Sequence, residues 1–165
     1  MDIRSERPED AAAIDQIIEA AFEPIPNSGT EARIVRALRE AGALTISLVA
    51  ADDDGRLVGH VAFSPVRLDG RPGQWYGLGP VAVDPRLQRL GIGSALIREG
   101  LARLVALGAE GCVVLGEPDY YGRFGFAADP ELTYLGYVTP YFQRLVFNGE
   151  PPKGDVSYHP AFDVR

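Results

Sequence analysis

The sequence predicts one α/β domain, residues 1–165, built on a mixed sheet flanked by helices, and three observations carry that expectation. Near the N-terminus, Ile14, Ile17, Ile18, Ala21 and Phe22 recur at the i, i+3, i+4, i+7, i+8 spacing of a half-buried helix. The spacing then changes to strand-like runs over LTISLVAADDDGRLVGHVAFSPVRL. Finally, an extended run passes through Gly91-Ile92-Gly93 into another helical stripe, so strands and helices alternate along the chain. A length of 165 residues with 46% hydrophobic content is enough to bury one core without covalent staples.

Each element has a local reason. Asp2 to Arg4 reads as a short first strand, and a helix follows Pro8 with Glu9 and Asp10 in its first turn, where the helix dipole favours negative charge. It stops at EPIP, Glu23 to Pro26. A second helix is announced by Ser28 and Glu31 at capping-box spacing, with Thr30 a rival cap, and closes at Gly42. Two strands then meet at Asp54-Gly55, a dipeptide suited to a type I′ turn because both central residues take positive φ. Gln74 to Val83 is a further extended run. From Gly93, Ile97, Leu101, Leu104 and Val105 keep helical spacing up to Gly108, and GCVVLG, Gly111 to Gly116, suits a buried strand. A short helix is expected over Pro118 to Arg123, and FQRLVF is a strand among the Gly and Pro turns of the last third.

Composition excludes several classes of function. A net charge of −7 is the wrong sign for nucleic acid, which needs a basic face. The single cysteine, Cys112, rules out an internal disulfide framework and suits a reducing compartment. MDIRSERPEDAAAI carries charge where a signal peptide needs an apolar core, and no run approaches the ~18 apolar residues of a membrane span, so a soluble cytoplasmic protein is expected. Arg86, Arg89, Arg98 and Arg103 nevertheless cluster in and beside the glycine stretch, which points to a small phosphorylated ligand.

Glycine inside a helix costs roughly 1 kcal/mol relative to alanine, so a Gly-x-Gly at a helix start needs a reason. One reason is an anion site: backbone N–H groups and the positive end of the dipole converge there, and a missing Cβ lets phosphate approach. The other is a close helix-to-strand crossing. A dinucleotide fingerprint fails because Leu96 stands where its third glycine belongs, and a P-loop fails for want of Gly-Lys-Ser/Thr.

The run Gln88-Arg89-Leu90-Gly91-Ile92-Gly93, preceded by VAV and Asp84-Pro85, resembles the Gln/Arg-x-x-Gly-x-Gly/Ala pyrophosphate loop of the GNAT acyltransferase superfamily. Downstream, YYGRFGF, Tyr120 to Phe126, resembles that family's Tyr-x-x-x-Gly-Phe signature. The wider pattern of GHVAFSPV, GLGPVAV, VVLGEPDYYGRFGF and YHPAF looks like the family's YhbS-like branch of small N-acetyltransferases, over nearly the whole chain. The resemblance implies a mostly antiparallel central sheet whose fourth and fifth strands splay apart. It also implies acetyl-coenzyme A (acetyl-CoA) as acyl donor and no metal. By position it assigns the pyrophosphate to Leu90, Gly91, Ile92, Gly93 and Ser94, with Gln88 and Arg89 at the entrance, and the pantetheine arm to the main chain of Val81, Ala82 and Val83. Arg123 is placed near the coenzyme or on the solvated surface.

Acetyl transfer to an amine needs a neutral nucleophile, a donor for the carbonyl oxygen and an acid for the departing thiolate. By resemblance Tyr121, four residues before Gly125, is the acid, while Tyr120 is the neighbour that packing alone does not distinguish from it. The base is less legible. Glu117 follows the fifth strand, but many members of the family carry Asn near there. His60 in the third strand reads first as a structural histidine, Tyr76 and Leu78 occupy the places where some relatives carry a glutamate, and Glu23 or a water route remains. Cys112, buried in an apolar strand without a base beside it, is expected to be inert. The expected activity is direct transfer from acetyl-CoA to a primary amine in a ternary complex, in a protein without nucleic-acid or membrane partners and with a homodimer as the common default. A non-catalytic acyl-CoA sensor is the alternative. The acceptor depends on Pro24 to Thr30 and the C-terminal third.

Overall fold

The strand Leu57–Leu68 is the spine of the molecule because both of its faces are covered. The computed structural model describes residues 1–25 and 29–163. In it the chain forms β1 (Asp2–Ser5), α1 (Ala11–Phe22), α2 (Glu31–Glu40), β2 (Ile46–Ala51), β3 (Leu57–Leu68), β4 (Arg71–Val83), α3 (Ile92–Ala106), β5 (Gly111–Leu115), α4 (Pro118–Tyr121), β6 (Ala127–Ala128), β7 (Leu132–Tyr134), β8 (Phe142–Val146) and β9 (Gly154–Tyr158). The sheet runs β1-β2-β3-β4-β5-β8-β6, and β9 joins β3 where β2 has ended, with β7 beside it. Most pairs are antiparallel; β4–β5 and β7–β9 are parallel.

Strand alternation divides the core. Val61 and Phe63 of β3 join Leu48 and the α3 residues Leu96, Ile97 and Leu104 on one face. Ala62 turns the other way, toward Val49 and the helix residues Ile14, Ile17, Ile18 and Val35. The α1 stripe expected from spacing is therefore the stripe that packs. Helix α3 approaches β3 so closely that a Cβ on Gly100 would lie 2.1 Å from the ring of Phe63, which is itself fully buried. Gly59 does the same service from the strand, where a Cβ would meet Ile92 and Leu96 at 3.0 Å.

Local details differ from expectation for identifiable reasons. At the β2–β3 turn only Gly55 takes positive φ, so the turn is not type I′. Instead the Asp52 carboxylate accepts the N–H groups of Asp54 and Arg56 at 3.0 and 2.9 Å, holding a longer loop. Thr30 occupies the N-cap of α2 without a side-chain cap bond, and the Glu31 carboxylate accepts the Gly29 N–H at 2.9 Å; Ser28 lies outside the described residues. Gly108, φ 86°, ends α3 as expected. Among the described residues no helix is long and apolar enough to cross a membrane.

A polar cluster joins the N-terminal segment to α2, β2 and β3. Arg39 donates to Glu6 at 2.9 and 3.1 Å, Glu6 accepts the Ser47 hydroxyl, and Ser47 Oγ lies 2.8 Å from Nε2 of the fully buried His60. Because the one Ser47 proton goes to the carboxylate, His60 Nε2 must carry a hydrogen and donate to Ser47, leaving Nδ1 as an unprotonated nitrogen with no partner among the described residues. A second proton on the ring would be stranded in the core, and burial accordingly pushes the pKa of His60 from 6.5 down to about 4.

Two predictions follow from this packing. Gly100→Ala should destabilise the fold by about 1–3 kcal/mol in urea unfolding, because the Phe63 ring has nowhere to go. For His60, the unfolded chain takes up a proton below pH 6.5 while the native state resists until about 4. Its contribution is thus intact above pH 6.5 and lost as pH falls toward 4, by about 3 kcal/mol in all. The urea midpoint should slope downward across that window, and His60→Gln should flatten the slope; an unchanged slope would show that His60 is not its source.

Candidate active site

The cleft begins where β4 and β5 part. They pair only through Trp75–Gly77 and Gly111–Val113, after which Leu78 to Val83 continues beside β3 with its other edge open. Pro80, which has no N–H to offer a neighbouring strand, falls in this unpaired half. The Asp84 N–H goes to the Val58 carbonyl, so alternation turns the backbone groups of Ala82 toward β3 and those of Val81 and Val83 toward the open edge. The Gln88 side-chain amide donates to the Val83 carbonyl at 3.3 Å on that edge.

The glycine loop closes one end of the cleft. Gly91 is the N-cap of α3 at φ 87°, in the left-handed region, and no side chain caps the helix. Arg89 is also left-handed, φ 67°, which curls the loop so that the N–H groups of the first helical turn face outward. A Cβ on Gly93 would meet Tyr120, Val83 and Val81 only at 3.6–3.9 Å, ordinary contact. The close helix-to-strand crossing that was the alternative role for these glycines therefore exists, but at Gly100 and Gly59. A cavity of about 710 Å³ lies over this loop, lined by Val81, Val83, Gln88, Arg89, Gly91, Ile92, Gly93, Ser94 and Arg123, together with Phe22 and Tyr120. Of the positions expected to hold coenzyme, Ala82 is buried beneath α1 and Leu90 points into solvent, so neither side chain lines it.

A second cavity, of about 390 Å³, shares Phe22 and Val81 with the first in its lining and lies at the gap between the parted strands. The two tyrosines of α4 separate here. The Tyr120 hydroxyl bonds to Ser94 Oγ at 3.1 Å, its ring lies under the Arg123 guanidinium at 5.1 Å, and it faces the loop cavity. Tyr121 faces the gap instead. Its ring rests on Gly116, where a Cβ would come within 2.2 Å, and meets Tyr120 and Phe126 edge-on at 5.0 and 6.0 Å. Burial, reinforced by Tyr120 and Cys112, pushes its phenol up to about 12. The left-handed Gly125, φ 98°, ends this turn.

The remaining candidates lie elsewhere. Glu117 is exposed at the N-cap of α4, where its carbonyl accepts the N–H groups of Tyr120 and Tyr121, and its side chain lines neither cavity. Glu23 is exposed at the end of α1. His60 is sealed in the core, and burial raises the Cys112 thiol far above its usual range. Tyr76 donates its hydroxyl to Gln74, while Leu78 does line the gap. Sequence reasoning missed Tyr120 as a lining residue, and it missed Glu31, Tyr134 and Tyr158, which line the gap from α2, β7 and β9. Among the described residues no group of His, Cys, Asp or Glu is placed to hold a metal.

Comparison with known proteins agrees with this geometry. The model of the acetyltransferase (GNAT) family matches residues 11–126. The N-acetyltransferase YhbS of Escherichia coli strain K12 is 46% identical over 124 residues, 75% of this chain and 72% of its own. A GNAT family acetyltransferase from Brucella melitensis, solved in complex with acetyl-CoA, is 54% identical with a TM-score of 0.87, covering 98% of this chain and 97% of that one. The Escherichia coli YhbS structure, in complex with CoA, superposes with a TM-score of 0.90 at 38% identity over 98% of this chain and 91% of its own. The family match runs from α1 through the parted strands and the uncapped α3 to the tyrosine turn, and on that ground the chain belongs to the GNAT acetyltransferase family.

Proposed function

We propose that the protein is an N-acetyltransferase that moves the acetyl group of acetyl-CoA to a primary amine by direct attack in a ternary complex. The observation that carries this reading is the pair of neighbouring cavities, one over an uncapped helix N-terminus and the other lined by the partly buried Tyr121 phenol between parted strands. The relatives crystallised with acetyl-CoA and CoA support it.

The roles follow from position. The N–H groups of Ile92, Gly93 and Ser94 and the dipole of α3 bind the pyrophosphate, with Arg89 and Arg123 supplying charge from the same cavity. The open edges of Val81 and Val83 pair with the pantetheine arm; Gln88 gives up the Val83 carbonyl as it enters. The first N–H after Pro80, that of Val81, is the donor for the carbonyl oxygen as it gains charge. The amine nitrogen forms its bond to the acetyl carbon, the carbon–sulfur bond breaks, and Tyr121 gives its proton to the departing sulfur. Two protons leave the nitrogen: one to water before attack, one afterwards, while water restores the phenol. The high pKa of Tyr121 matters because amines become neutral only toward pH ~10, where an ordinary phenol would itself be half ionised.

Tyr121→Phe should lower kcat for thiol release by ~10²-fold or more while the acetyl-CoA affinity measured by calorimetry stays within about twofold. A collapse of affinity instead would make Tyr121 a structural residue. Gly93→Glu should keep or slightly raise stability, since an acid in the first turn suits the dipole by about 0.3–1 kcal/mol, yet abolish coenzyme binding by charge and bulk. Normal binding by that variant would remove the loop from the donor site. Turnover should rise from pH 7 to 10 with the neutral amine and show no descending limb from Tyr121 below about 12. Saturable coenzyme binding without thiol release from any amine would identify a sensor.

A further inference from the structure

The walls of the gap between β4 and β5 restrict the acceptor, and here the inference rests on the acetyl-transfer reading above. Among the described residues Glu31 is the single charged side chain lining this cavity. Its place in the first turn of α2 and the Gly29 N–H, which donates to Oε2 at 2.9 Å, fix the carboxylate at the wall. The same lining contains the aromatic rings of Tyr121, Tyr134, Tyr158 and Phe162 and the aliphatic Ile34 and Leu115. These rings hold one another: Tyr134 meets Tyr158 edge-on at 5.3 Å, and Tyr158 meets Phe162 at 5.0 Å. Tyr134 is also stacked on the buried Phe142 at 5.4 Å.

Such a surface recognises one cation and an apolar body. A single carboxylate satisfies a single ammonium, and ring faces attract the same charge while covering hydrocarbon. A polyamine or an aminoglycoside would bring further ammonium groups to a lining that, among the described residues, has no second carboxylate to pair them, each costing roughly 1–3 kcal/mol if buried unpaired. A volume near 390 Å³ sits at the small end of ligand cavities, about 300–1,000 Å³. We infer that the acceptor is a small monoamine whose one ammonium is taken by Glu31 and whose aromatic or branched apolar body lies against Tyr134, Tyr158 and Phe162.

The bound ammonium loses one proton to water, and the neutral nitrogen bonds to the acetyl carbon, giving up a second proton to water as the amide forms. The carbon–sulfur bond breaks, and CoA leaves as the thiol with the Tyr121 proton while water reprotonates the phenolate. Glu31 is a binding residue here, not the acid or base. The test begins with calorimetric titration of acetyl-CoA and proceeds to thiol release with phenethylamine and isoamylamine against spermidine and kanamycin. The monoamines should show kcat/KM at least tenfold higher. Glu31→Gln should raise the KM for phenethylamine tenfold or more with coenzyme affinity and kcat little changed, and Tyr134→Leu should raise KM several-fold. Spermidine or kanamycin as the better substrate, or a Glu31→Gln enzyme with unchanged KM, would overturn the acceptor assignment while leaving the donor site intact. Failure to bind acetyl-CoA at the first step would overturn both readings, and it is visible before any amine is added.

Discussion

The parting of β4 from β5 is the constraint on which the rest depends. A sheet normally seals its interior by pairing every backbone group, and here three residue pairs bind the strands before they diverge. Beyond that point β4 keeps β3 on one side and has an open edge on the other, with Pro80 inside the unpaired stretch. The result is a slot in the sheet with one cavity at the α3 loop and a second beside it against α2, β7 and β9. Everything with chemical character, the helix N-terminus, the Tyr121 phenol and the Glu31 carboxylate, is arranged around that slot.

The glycines illustrate how one residue type serves different physical ends. Gly100 and Gly59 let α3 settle against β3, where a methyl group would overlap neighbouring side chains. Gly116 makes room for the Tyr121 ring and so aims it. Gly91 supplies a left-handed angle, and Gly93 has ordinary space toward the protein while lining the cavity. Packing therefore accounts for the first three and backbone conformation for Gly91, while Gly93 leaves the main chain bare at the cavity wall.

Electrostatics separates the buried polar network from the cleft. In the N-terminal network burial acts to raise the Glu6 carboxylate, but hydrogen bonds from Arg39 and Ser47 outweigh that effect and hold it below its usual range, and His60 is kept neutral behind it. That network binds the fold together and is sealed from the cleft. On the cleft side the protein leaves donors facing outward at α3, two arginines in the cavity lining, and a phenol that burial keeps protonated. A net charge of −7 thus coexists with a local site suited to a polyanionic donor.

The features legible in the sequence were those decided by neighbours along the chain. The stripe of α1, the stop of α3 at Gly108, the strand running into Gly91 and Gly93, and the Tyr-Tyr turn ending at Gly125 follow from helical spacing, positive φ and dipole chemistry, all local effects. Strands β6, β7 and β9 were not legible because they are two to five residues long and depend on partners far away, as Val66 to Leu68 does on Val156 to Tyr158. The separate surroundings of Tyr120 and Tyr121 were equally hidden, since Ser94 holds one hydroxyl and Gly116 seats the other ring. The sequence by itself determined the helices, the longer strands and the family; tertiary structure alone decided which faces meet in the slot, because Glu31, Tyr121, Tyr134 and Tyr158 are brought together only by the pairing of distant strands and the packing of α2 over their parted edge.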